Sequence, residues 1–93
     1  MWKLLDTLTG IGDVFQGPER LGSVSYTLEI QQDETRHRIL GKARALDGVD
    51  VPSLARDGAP LTAHLADGRC LDFFFEDDGS IIPRHKGLYQ PPK

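Results

Sequence analysis

Residues 61–82 read LTAHLADGRCLDFFFEDDGSII, three short apolar runs separated by Asp67-Gly68 and Asp78-Gly79. Asp-Gly between apolar runs is a hairpin signal, because both residues tolerate the backbone angles that tight turns need. A two-residue turn at Asp67-Gly68 would set Ala63 against Asp72 and mix polar with apolar faces. A three-residue loop, Ala66-Asp67-Gly68, sets Leu61 against Phe73 and Ala63 against Leu71, with Gly68 in the left-handed conformation that such a loop requires at its third position. The same argument at Asp77-Asp78-Gly79 sets Phe75 against Ile81 and Phe74 against Ile82. Three consecutive antiparallel strands follow, at about 60–65, 69–76 and 80–85. Because Phe73, Phe74 and Phe75 are adjacent, the middle strand carries large apolar groups on both faces, which predicts a central position or a place where the sheet curls.

Upstream, Val24, Tyr26, Leu28 and Ile30 alternate with polar residues and predict a strand over 22–31 with one buried face. Ile39, Gly41, Ala43 and Ala45 alternate in the same way over 36–46. A turn centred on Asp33-Glu34 would pair Leu28 with Ile39, Tyr26 with Gly41 and Val24 with Ala43, and would oppose Glu29 to Arg38 on the other face. Residues 47–59 read as a connection with a short edge strand at 49–51 and one helical turn beginning at Ser53, since Pro52 is poorly suited to a central strand. At the amino end, Leu4, Leu8, Ile11 and Phe15 have helical spacing and predict an amphipathic helix over 2–9 lying as a lid on the sheet, with Gly10 and Gly12 ending it. The residues from 88 to 93, ending Pro91-Pro92-Lys93, read as an extended tail. The fold class expected is mainly β: a small curled antiparallel sheet or barrel of five to six short strands in a meander, with one N-terminal helix, as a single domain over 1–87.

Ninety-three residues support one domain with a thin core, and 39% hydrophobic with 27% charged residues is globular composition. The net charge of −3 argues against a dedicated nucleic-acid binder, which is ordinarily basic. Cys70 is the only cysteine, so an internal disulfide and an all-cysteine zinc site are excluded, and a reducing compartment is expected. Asp6, Gly10, Gly12 and Asp13 interrupt what would be the apolar stretch of an export leader, and no run nears the ~20 apolar residues of a membrane-spanning helix. The expected location is cytoplasmic.

Two constellations could carry chemistry. Arg36, Arg38, Lys42 and Arg44 fall on one face of a strand, with Arg84 and Lys86 later in the chain, and such a row could track phosphates or an acidic partner. His64, Cys70 and Asp72 share a face in the register above, which brings together the types of a nucleophile, base and orienting group, or of three metal ligands. That set lacks any glycine-rich loop or helix start to stabilise an oxyanion. The acidic groups Asp47/Asp50 and Glu76/Asp77/Asp78 do not match a calcium loop, and no phosphate-binding loop is present. The sequence therefore predicts no cofactor, no metal and no catalysis. It points to a non-enzymatic binding or protein-interaction module whose partner is another protein or a second copy, because short strands leave Trp2, Leu40, Phe74, Leu88 and Tyr89 only partly covered.

Overall fold

Six antiparallel strands close into a barrel in the computed structural model, which describes residues 1–84 and 87–90. In chain order these are β1 (Lys3–Gln16), β2 (Glu19–Asp33), β3 (Arg36–Asp47), then the helix α1 (Val51–Asp57), then β4 (Leu61–His64), β5 (Cys70–Phe75) and β6 (Ser80–Pro83). Around the barrel the order is β1, β2, β3, β6, β5, β4 and back to β1. The expected meander of short strands is not what forms: β1, β2 and β3 run 14, 15 and 12 residues, and β3 pairs with β6 rather than β4, because the connection through α1 carries the chain to the far side, where β4 closes on β1.

The last three strands pair as face-matching dictates. Leu61 lies against Phe73, Ala63 against Leu71, Phe75 against Ile81 and Phe74 against Ile82. Both loops use the same device. In each, a backbone N–H before the loop donates to the carbonyl after it, Leu65 to Arg69 at 2.8 Å and Glu76 to Ser80 at 2.9 Å. The aspartate inside each loop accepts from a backbone N–H two residues on, Asp67 from Arg69 and Asp78 from Ser80, both at 2.9 Å. This is the local bonding that makes aspartate a turn former. Gly68 closes the first loop at φ 90.

The N-terminal helix expected over 2–9 is absent: from Lys3 onward those residues belong to β1, and the one helix among the described residues lies at Val51–Asp57. The stretch contains β-branched Thr7, Thr9 and Ile11, which suit a strand, and the two glycines serve strand packing rather than helix termination. A Cβ on Gly12 would stand 2.7 Å from the His64 carbonyl oxygen, so glycine there lets β1 approach β4 and close the barrel. The lid role falls instead to α1. Asp50 caps it by accepting from the Ser53 N–H at 3.1 Å, Pro52 sits in its first turn, and Val51, Leu54 and Ala55 pack on the core.

The β2–β3 hairpin also differs from expectation. Asp33 pairs with Arg36, so Glu34 and Thr35 form the turn, and Tyr26 faces Ala43, Leu28 faces Gly41 and Ile30 faces Ile39. A shift of two positions keeps every side chain on its face, which is why alternation alone could not distinguish the registers. Glu29 consequently faces Leu40, and Arg38 faces Gln31.

Inside the barrel, Phe73, Leu28, Leu61, Leu71, Val14 and Val24 are fully buried, and Phe73 meets Phe75 edge to face at 4.9 Å. Each such side chain contributes about 1.5–3 kcal/mol through burial. Tyr26 is buried too, and its hydroxyl accepts from the Ala66 N–H at 3.0 Å. Residues 87–90 lie against β5, where Tyr89 bridges to Cys70 through two backbone hydrogen bonds of 2.7 and 3.0 Å. The predicted tail is thus fixed at Tyr89, while residues 91–93 lie outside the described residues. No helix among the described residues is long and apolar enough to cross a membrane.

Candidate functional site

β1 spans fourteen residues, but β4 covers only Asp13, Val14 and Phe15 of it. From Lys3 to Gly12 the strand is paired with β2 alone among the described residues. This leaves an open edge along which alternate backbone N–H and C=O groups point outward. Exposed apolar side chains stand on that stretch: Leu4 at 53%, Leu5 at 48% and Ile11 at 62% of full exposure.

The edge is bent once. Leu4 pairs with Gln31 and Asp6 with Ile30, so Leu5 is an extra residue in a bulge. Because Gln31 and Glu29 lie on one face, their partners Leu4 and Thr7 share that outer face despite their odd spacing. Lys3 and Asp6, opposite Gln32 and Ile30, share the inner one. One oxygen of Asp6 accepts from the Thr7 N–H at 2.8 Å and fixes the bulge.

The outward edge of β3 is different. Arg36, His37 and Arg38 occupy it beyond the two positions, Gly41 and Lys42, that pair with β6. Charge on an edge strand opposes the docking of another strand. β1 carries only Lys3 and Asp6 over the corresponding ten residues.

The basic face predicted from sequence does project from β3, but three of its four members, Arg36, Arg38 and Lys42, are separately engaged. Arg36 pairs with Asp33, and its guanidinium lies 5.3 Å from the Trp2 ring centre; that of Arg38 lies 4.1 Å from the same ring while donating to Gln31 at 2.7 Å. These two arginines hold Trp2 onto the hairpin by cation–π contact. Lys42 stands 3.9 Å from Asp78, and Arg44 has no ion pair among the described residues. Arg84 lies 5.2 Å over Phe74, and Lys86 is outside the described residues. Beside Lys42 a groove of about 580 Å³ runs between Thr27, Glu29, Leu40, Glu76 and Ser80. It mixes both signs of charge and so selects for neither.

His64, Cys70 and Asp72 occupy one face, as the β4–β5 register requires, yet they do not form a reactive set. The His64 ring stacks on Phe15 at 4.4 Å. Cys70 is 2% exposed, and burial, then the Asp72 carboxylate, pushes its thiol up, the reverse of an activated nucleophile. Asp72 accepts from the Thr62 hydroxyl and from the Tyr89 hydroxyl, each at 2.8 Å. No cluster of three potential metal-ligating side chains occurs among the described residues.

Sequence reasoning missed the β1 edge because it assigned those residues to a helix. The signal available was the run Thr7, Thr9, Ile11 alternating with Leu8, Gly10, Gly12. Comparison with protein-family models, with curated proteins and with solved structures gave no match for this chain.

Proposed function

We propose that the chain is a non-enzymatic protein-interaction module that accepts a partner strand along the open edge of β1, between Lys3 and Gly12. Strand addition draws affinity from main-chain hydrogen bonds and specificity from alternate side chains. The observation that carries the reading is the contrast between the two edges: β3 is guarded by charge, whereas β1 exposes leucines and threonines beside backbone groups that no second strand pairs among the described residues.

The test is a titration of isotope-labelled protein with a panel of eight-residue threonine- and valine-rich peptides, followed by amide shifts. The expected result is perturbation concentrated between Lys3 and Gly12, absent for peptides whose alternate amides are N-methylated. Perturbation confined to the groove beside Lys42, or none, would overturn the reading.

A further inference from the structure

We infer that the partner at this edge is a second copy of the chain, joined through β1 to β1 in antiparallel pairing about a two-fold axis between Leu4 and Leu5. The inference rests on the strand-addition reading and adds the identity of the strand and its register. The run Trp2-Lys3-Leu4-Leu5-Asp6-Thr7 is complementary to itself when laid antiparallel. In that register Leu4 faces Leu5 of the second copy, Lys3 faces Asp6, and Trp2 faces Thr7. The two-fold axis repeats each contact, giving two opposite-charge pairs across the seam.

The bulge selects this register. Facing residues in a sheet must lie on the same side. In a regular strand Lys3 and Asp6, three positions apart, would point to opposite sides. The extra residue at Leu5 brings both to the inner side, against Gln32 and Ile30. Trp2 touches the outward Arg36 and Arg38, and Thr7 lies opposite the outward Glu29, so that pair agrees too. Moving the register by one position in either direction opposes inner to outer side chains. Moving it by two, with Leu4 on Thr7, opposes Leu5 to the inward Asp6, sets Lys3 against Leu8 and leaves the charges without partners.

The six paired positions, Trp2 to Thr7, lie short of Gly10, where Ala66 approaches β1, and of Asp13, where pairing with β4 begins.

Sedimentation of the full chain over a concentration series tests the inference. The expected result is a reversible dimer that Lys3→Glu or Asp6→Lys each weakens by about tenfold, since each change replaces two attractions with two repulsions. The double reversal, Lys3→Glu with Asp6→Lys, is expected to restore the original association, with circular dichroism unchanged throughout. A strict monomer at all concentrations would overturn the inference, as would failure of the double reversal to recover association. If the peptide panel still perturbs β1 in that case, the edge remains a strand acceptor for other proteins. If the panel fails as well, the strand-addition reading falls with it.

Discussion

Glu34 opens the turn between β2 and β3 at φ 55, the only residue other than glycine with a positive φ among those described. A side chain in the left-handed region costs about 1–2 kcal/mol. Asp33 and Arg36 pair across the turn and hold it in place, and Gln32 donates to the Glu34 carbonyl at 2.9 Å. Neither contact uses the Glu34 side chain. Replacing Glu34 with glycine removes the strain but adds freedom to the unfolded chain, about 0.4–1 kcal/mol. The net expectation is a gain of about 0.5–1 kcal/mol, read as an upward shift of the unfolding midpoint at unchanged denaturant slope. A loss of stability would mean that Glu34 makes a contact through its carboxylate. The same turn shows why the hairpin register was only partly legible: alternation located the faces of Leu28 and Ile39, but the turn position depended on the Asp33–Arg36 pair, which no periodicity encodes.

Among the elements, the segment 87–90 acts as a latch on β5. Its backbone completes the hydrogen bonds of Cys70, Leu88 packs against the core, and the Tyr89 hydroxyl donates to Asp72. Burial, then the hydrogen bond and charge of Asp72, push the Tyr89 phenol up to about 12 from its ordinary 10. A raised value means that the folded chain holds the proton more tightly than the unfolded one. The stabilisation is therefore complete below pH 10 and disappears as pH rises towards 12. Two results are expected. The tyrosinate absorbance lost in Tyr89→Phe should titrate near 12 in the parent, and lower in Asp72→Asn. Tyr89→Ala should raise the rate at which Cys70 reacts with a thiol reagent at pH 8 by tenfold or more; an unchanged rate would show that the latch does not shield the thiol. The β4–β5–β6 meander was legible from sequence because Asp-Gly loops and matched apolar faces are both local. The latch was not, since Tyr89 meets Cys70 across eighteen intervening residues and nothing in the tail's composition marks the contact. The N-terminal strand was misread for a related reason: Leu4, Leu8, Ile11 and Phe15 fit a helical stripe, and only closure against His64 makes glycine at position 12 a strand requirement.

At the scale of the whole molecule, β1 has two separable parts. Its second half closes the barrel through Asp13, Val14 and Phe15, with Val14 fully buried, while residues 3–7 are exposed and pair with β2 only. Removing residues 1–6 deletes the cation–π contacts of Trp2, the surface pair between the amino terminus and Asp33, and three ladder positions. Exposed contacts of these kinds are each worth at most about 1 kcal/mol, so the shortened barrel is expected to lose about 1–2 kcal/mol and keep a single cooperative transition by circular dichroism. Phe73→Ala, which empties the centre of the barrel, is expected to cost about 3–5 kcal/mol. Association behaves in the opposite way. The truncated chain should be monomeric at every concentration, whereas Phe73→Ala, where still folded, should dimerise like the parent, because its defect lies far from the seam. If truncation instead unfolds the barrel, the amino-terminal half of β1 is a structural strand and its open edge a by-product of barrel closure. Stability retained with association lost is the outcome that assigns the edge to binding.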